Sequence, residues 1–420
     1  MGEVSLRAAL SLLIAAAAAR APAAAADPPS AGSNGKDTVQ TDRTDVTGLP
    51  LVGGDSDIGI GFGETSAITR HEARADPYRW RLESSALITF KPGDARLTVP
   101  YQDYFLVFTL PEAVRGLRLE ARPSFTAETT QRYSGLGNAS PPPDPERAPT
   151  HDVGYFEYGR VHPTMALRAR LALPEHLHLL VGVSYTQNWI DERAQSQLAD
   201  DRRSGSPTVR RLLGDTQDHG VALFDYALLY DTRDDETITR SGQYHQAKIR
   251  LSPGGTRDLP YRYGQANLTL RAYASPTERI TLAARVVGDW QFGDLPFYEL
   301  ARYEDTYALG GVNGVRGVPG QRYSGKIKIF SNLEARARVV SFHLFQKVFV
   351  LGGAAFFDAG RLWAEAAPHP ELDGTGVGLK YGVGGGARLE HGNDFVARLD
   401  VAWSPDARPI GAYFGAGEIF

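Results

Sequence analysis

KIKIFSNLEARARV, from Lys326 to Val339, alternates with a period of two residues. The even positions Lys328, Asn332, Glu334, Arg336 and Arg338 are polar, and the odd positions Ile327, Ile329, Leu333, Ala335, Ala337 and Val339 are apolar. Successive side chains of an extended chain point to opposite faces, so the segment reads as a strand with one apolar and one strongly charged face. The alternation recurs on both sides of it. Gln265, Asn267, Thr269 and Arg271 stand against Ala266, Leu268, Leu270 and Ala272, and Arg398 and Asp400 against Ala397, Leu399, Val401 and Trp403. Strands of a soluble sandwich run about 5 to 6 residues. These run about 10 to 14, with short and long connections in turn, the pattern of strands that cross an outer membrane at a tilt. Trp189, Tyr230, Trp290, Trp363 and Trp403 near strand ends suit interfacial girdles.

Composition narrows the alternatives. The 420 residues include 45 glycines, 26 prolines and no cysteine, which excludes a disulfide scaffold and a thiolate metal site. A balance of 45 basic against 49 acidic residues excludes a strongly basic nucleic-acid binder. The richest apolar stretch, VFVLGGAAFF from Val348 to Phe357, has ten residues, whereas a spanning helix needs about 18. A membrane form of this chain therefore spans as strands. Residues 1–26, with Arg7 ahead of the uncharged run Ala8 to Ala19 and an Ala-rich end before Asp27, read as a secretory signal peptide. Residues 27–46 are polar and rich in turn formers and read as a flexible periplasmic linker. Residues 47–420 are assigned to the barrel.

Counting back from Phe420 predicts an all-β fold of sixteen antiparallel transmembrane strands, the first at 47–54 and the last at 411–420. The parity is consistent. Short links near 172–176, 275–278, 342–346 and 391–393 fall on the periplasmic side, and long loops at 132–151, 191–219 and 294–324 fall outside. Glu418 breaks the apolar alternation expected of the last strand. The strand glycines Gly352, Gly353 and Gly384 to Gly386 read as bends that let the wall close.

The segment LGGVNGVRGVPG (Leu309 to Gly320) lies in the long loop between the eleventh and twelfth strands. Four further pieces accompany it in order: YSGLGN (Tyr133 to Asn138), YDTRDDE (Tyr230 to Glu236) ahead of Ser241-Gly242, NLEARARV (Asn332 to Val339) and FFDAG (Phe356 to Gly360). Together they resemble barrels of the outer-membrane protein 85 superfamily, bacterial surface antigen type, which carry a Val-Arg-Gly-Phe/Tyr turn in that loop. The resemblance covers the chain from about residue 47 onward. It implies a bacterial outer-membrane location and a role in inserting or translocating protein or lipid, with outer-membrane lipid and a client protein or periplasmic partner as the expected partners. There are two departures. Val318-Pro319 stands where the family has an aromatic residue, and only a short linker stands where other members carry polypeptide-transport-associated domains.

Residue chemistry sharpens the loop. Arg316 lies in a tight turn of Gly314, Val315 and Gly317, inside a loop long enough to fold into the lumen. Strand parity points Glu334 and Asp358 inward, and a guanidinium bridges such carboxylates with charge-assisted, often bidentate hydrogen bonds. Arg316 is therefore expected to pin the loop against Glu334 and Asp358, as the resemblance also implies. In the family the opening seam lies between the first and last strands. GLPLVGG (Gly48 to Gly54) accordingly reads as a short first strand that pairs poorly with the last, with Gly48, Pro50 and Phe420 marking a lateral gate.

No cofactor, metal site or enzymatic activity is expected. GQRYSGKI (Gly320 to Ile327) places Ile327 where a phosphate loop needs Ser or Thr for magnesium. His176 and His178 share a strand face without a third ligand, and DTRDDE (Asp231 to Glu236) reads as a solvated periplasmic turn. The alternatives to a translocation role are a passive channel, a structural barrel, or the membrane anchor of a separately encoded periplasmic protein.

Overall fold

A computed structural model describes residues 42–420, apart from 56–57, 73–74, 76, 93–96, 145, 147, 150–152, 216, 304–305, 308, 345–346, 393–394 and 407–409. The expected signal peptide and residues 27–41 of the expected linker lie outside the described residues.

Among the described residues sixteen long strands form one closed antiparallel sheet, to which a two-residue strand, Leu97–Thr98, adds at Lys91 and Pro92. They are β1 (Arg43–Asp55), β2 (Gly59–His71), β3 (Trp80–Pro92), β4 (Tyr101–Val114), β5 (Leu117–Arg132), β6 (Glu157–Ala172), β7 (Leu177–Asp191) and β8 (His219–Asp231). The second half comprises β9 (Gly242–Ser252), β10 (Tyr263–Thr277), β11 (Ile280–Gly293), β12 (Ile327–Leu344), β13 (Lys347–Trp363), β14 (Lys380–His391), β15 (Phe395–Trp403) and β16 (Gly411–Ala416). Each strand pairs with its neighbours in sequence, and β16 returns to β1. Among the described residues no helix is long and apolar enough to cross a membrane.

The two faces are inverted relative to a soluble protein. Ile329 and Leu333 on β12 are 51% and 52% exposed, whereas Asn332 and Glu334 beside them are 0% and 4% exposed. Apolar groups outside and ionised groups inside are stable only when the outer medium is hydrocarbon, as around a membrane barrel. Trp189, Trp290 and Trp403 face outward near the outer ends of β7, β11 and β15, which gives the outer rim an aromatic girdle.

Two terminal strands depart from the expected boundaries. β1 is not short: it begins four residues inside the expected linker and pairs with β2 along its length, from Arg43↔His71 to Asp55↔Gly59. Pro50 sits opposite Glu64 in that ladder. A proline removes one ladder donor, which an edge strand tolerates. β16, in contrast, stops at Ala416. Gly417 takes φ +74°, a left-handed conformation available to glycine at no steric cost, and the chain turns inward. Between β1 and β16 the described residues contain two residue pairs, Gly54↔Phe414 and Asp55↔Tyr413.

The long loops pack into a cap over the outer end. Helices α1 (Gln197–Ser204) and α2 (Pro207–Leu213) start at Ser196 and Ser206, whose hydroxyls accept the backbone N–H groups of Ala199 and Val209. Their apolar sides bury Leu198 and Leu213 against Tyr133 and Leu136 from the β5–β6 connection and Tyr298 and Leu300 from the β11–β12 connection. Tyr133 donates a hydrogen bond to Asp201 at 2.8 Å.

Candidate functional site

Below the cap, the loop carrying Leu309 to Tyr323 folds into the lumen against β11, β12 and β13. Leu309, Val315 and Val318 are 0% exposed and pack with Val287, Phe330 and Leu362 from the inner wall. Burying each such side chain stabilises the folded loop by about 1.5–3 kcal/mol. The turn is closed by its own backbone: Val315 N–H donates to the Leu309 carbonyl at 2.8 Å and Gly311 N–H to the Val318 carbonyl at 2.8 Å. Gly317 has φ +91°, and its N–H donates to the Tyr413 hydroxyl on β16 at 2.9 Å.

This turn delivers Arg316, itself 0% exposed, into a nest of carboxylates. Its Nε and Nη2 donate to Asp358 Oδ2 and Oδ1 at 2.7 and 3.0 Å, and its backbone N–H donates to Oδ2 at 3.1 Å. Its Nη1 reaches Glu334 Oε2 at 2.9 Å and Asp400 Oδ2 at 3.3 Å. The guanidinium also lies 3.3 Å from the centre of the Phe356 ring, a cation–π contact strengthened by the dry setting. Glu334 is on β12, Asp358 on β13 and Asp400 on β15, so one side chain ties three wall strands to one loop.

The carboxylates are compensated from the inside too. Arg388 on β14 donates to Asp400 Oδ1 at 2.6 Å and Glu334 Oε1 at 3.2 Å, and Arg336 donates to Glu334 Oε1 at 2.8 Å. Buried charges persist only with this kind of multiple pairing. Asn332 donates to the Gly314 carbonyl at 2.8 Å, and Arg285 to the Asn313 carbonyl at 2.6 Å, so the backbone of the turn is held as well.

Space for the loop comes from absent side chains on β14. A Cβ on Gly382 would lie 1.8 Å from the Arg316 carbonyl oxygen, on Gly384 2.5 Å from the Phe356 ring, and on Gly386 2.2 Å from Asp400 Oδ1. Gly384 and Gly386, read from sequence as bends, thus also clear room for the lock, together with Gly382. Val318, in the place of the family's aromatic residue, fills the apolar cluster, and the ring that meets Arg316 comes from Phe356 on the wall.

Of the residues singled out from sequence, Arg316, Glu334 and Asp358 are in contact, and Gly314, Val315 and Gly317 form the turn around them. Gly48 and Pro50 lie within β1, opposite Ser66 and Glu64 of β2, away from the paired end of the seam. Phe420 is not at the seam: it is 6% exposed and packs in the lumen with Tyr273 and Ala283. The departure follows from Glu418, whose carboxylate would face hydrocarbon or an open lumen in a continuing strand and instead meets Arg388 and Arg336. Asp400, Arg388 and Gly382 were not singled out as site residues. Asp400 and Arg388 carried the inward parity, but joining strands two apart at one height requires the register.

The model of the Omp85 superfamily domain matches residues 122–420. Among solved structures, the chain superposes on BamA from Haemophilus ducreyi lacking POTRA domains 1-3 with a TM-score of 0.60 at 12% identity, covering 90% of this chain and 70% of that one. CdiB from Escherichia coli gives 0.53 at 12% identity, with 89% and 62% covered. CdiB from Acinetobacter baumannii gives 0.50 at 12% identity, with 89% and 59% covered, so the chain spans less than two thirds of the length of either CdiB. Likeness at this identity is one of fold. No curated protein matches the sequence.

Proposed function

Because the chain belongs to the Omp85 superfamily of bacterial outer-membrane barrels, we propose that it inserts or translocates protein at the outer membrane by presenting the free edge of β1 to an incoming strand. The observation that carries this is the seam. β1 has thirteen residues paired to β2, yet only Gly54 and Asp55 pair with β16 among the described residues. Residues 43–53 are left with one row of backbone donors and acceptors unpaired toward β16. Such a row templates addition of a strand, with main-chain hydrogen bonds supplying affinity. The lumen beside β11 to β16 is occupied by the lock loop, which argues against a passive channel. A client protein is the partner this mechanism requires, and lipid bordering the seam is the second.

The test places a photo-crosslinking side chain at Val46 or Val52 in β1 and examines adducts formed in native outer membrane. Discrete adducts with newly exported protein are expected, and they should vanish when a disulfide between Val52→Cys and Ala416→Cys zips the seam. A steady bilayer conductance that is insensitive to Arg316→Ala, with no adduct at either site, would instead establish a pore.

A further inference from the structure

Beneath the lock, the segment Gly417–Phe420 crosses the periplasmic end of the lumen. Gly417 N–H donates to the Val396 carbonyl at 2.8 Å, and the chain then runs from the β15–β16 wall toward β10 and β11. Glu418 Oε2 accepts from Arg388 Nε at 3.0 Å and lies 3.6 Å from Arg336 Nε. The Ile419 carbonyl accepts from Arg285 at 3.5 Å and a Phe420 backbone oxygen from Arg336 at 3.0 Å. The Phe420 ring stands 6.3 Å from that of Tyr273, with the guanidinium carbons of Arg285 and Arg336 5.0 and 5.5 Å from its centre. A side-chain carboxylate, two main-chain oxygens and an aromatic ring are thus each received by a built partner.

A small cavity adjoins this segment on the periplasmic side. Its lining residues include five arginines, Arg240, Arg279, Arg336, Arg338 and Arg388, against two glutamates, Glu390 and Glu418. One of those carboxylates belongs to the tail itself. Arg338 is engaged by Glu390 at 2.5 Å, and Arg240 bonds to the backbone of Glu278. If the tail is withdrawn, the cavity lining keeps five arginines and one carboxylate, while Arg388 and Arg336 retain Asp400 and Glu334 above it and lose the Glu418 carboxylate, to which Arg388 Nε donates. Guanidinium forks select carboxylate oxygens, and the apolar floor of Tyr273 and Ala283 selects a ring.

We infer that the periplasmic mouth is a binding site for an acidic peptide segment, one with a carboxylate two residues ahead of an aromatic side chain, and that the chain's own tail occupies it in cis. The occupant is a peptide rather than a free anion, because the ring and the main-chain oxygens are recognised along with the charge. A tethered occupant acts at an effective concentration on the order of millimolar, so a peptide in trans competes poorly until the tail is disabled. The site is separate from the free edge of β1, and the inference stands whether or not clients dock there.

The experiment measures binding of a fluorescent Gly-Ala-Gly-Glu-Ile-Phe amide to the purified full chain in detergent micelles. The double variant Glu418→Gln/Phe420→Ala is expected to bind it at least about tenfold more tightly than the unaltered chain, because cis competition is lost. Glu418→Gln alone, which keeps the ring in place, is expected to show a smaller gain and serves if the double variant does not fold. A peptide with Gln for Glu and Ala for Phe should lose the binding. Equal affinity for altered and unaltered tails, equal binding of the changed peptide, or displacement by equimolar inorganic phosphate would each overturn the inference.

Discussion

Gly382 on β14 faces the carbonyl oxygen of Arg316 so closely that a methyl group on it would lie 1.8 Å away. The obstacle is main chain, which cannot rotate aside as a flexible side chain would. Gly382→Ala is therefore expected to expel the lock loop while leaving the β14 ladder in place. Trypsin cleavage after Arg322 in the folded protein reads this out, and a loop as resistant as in the unaltered chain would contradict the packing described.

Removing the guanidinium should be as severe by another route. Arg316→Ala strands Asp358, Glu334 and Asp400 without their shared cation, and breaking one partner of a buried pair costs about 3–5 kcal/mol. The temperature at which the barrel loses its compact electrophoretic mobility should fall, and the loop should become protease-sensitive. Arg316→Lys, which keeps the charge but not the fork toward Asp358, is expected to lie between the two. Unchanged heat-modifiability and protease resistance in Arg316→Ala would remove the lock from the account.

Much of this was legible because one period carries both the fold and the direction of each side chain. The alternation around Glu334 identifies a strand and also points that carboxylate at the lumen, so Arg316, Glu334 and Asp358 can be brought together before any register is known. Asp400 and Arg388 have the same parity, but placing them at the height of Arg316 depends on how β13, β14 and β15 slide against one another, a register that pairs Asp358 with Gly382 and Gly386 with Asp400. The inward turn at Gly417 left a trace in Glu418, a charge on the wrong beat of the last strand. Its meaning required the arginines that receive it. The length of β1 was hidden by Gly48 and Pro50, which read as strand breakers until pairing with β2 overrides them.

The seam makes a backbone prediction. Amide hydrogens of residues 43–53 should fall into two groups by hydrogen exchange, those donated to β2 being protected and those pointing toward β16 exchanging fast. Uniform protection along β1 would mean that the seam is zipped in the membrane.

The cap should respond independently of the lock. Leu213 is 0% exposed at the centre of the loop cluster, and Leu213→Ala is expected to cost about 2–5 kcal/mol locally. Exchange over residues 197–213 should accelerate while the temperature of barrel unfolding stays put. A matching fall in both would show that cap and wall form one cooperative unit.

Asp201, in the cap and outside the wall, has its carboxyl raised above the usual range by burial. A raised carboxylate favours the folded cap most when protonated, and that contribution is lost as pH rises through the folded value. Protection of α1, corrected for intrinsic exchange, should therefore decline as pH rises through the carboxylate range, and Asp201→Asn should flatten the dependence. A variant that is less protected than the unaltered chain at neutral pH would refute this.

The distribution of bonds around the barrel has a mechanical consequence. A hoop keeps its shape through its weakest joint, and among the described residues that joint is two residue pairs wide. The ring is instead braced like a wheel, with Arg316 as hub, Glu334, Asp358 and Asp400 as spokes to three strands, and the Gly317–Tyr413 bond as a fourth to β16. A wheel braced in this way can have its rim cut and stay round. On the mechanism proposed above, the wall would part along this one line while the strands that carry Glu334, Asp358, Asp400 and Tyr413 keep their bracing.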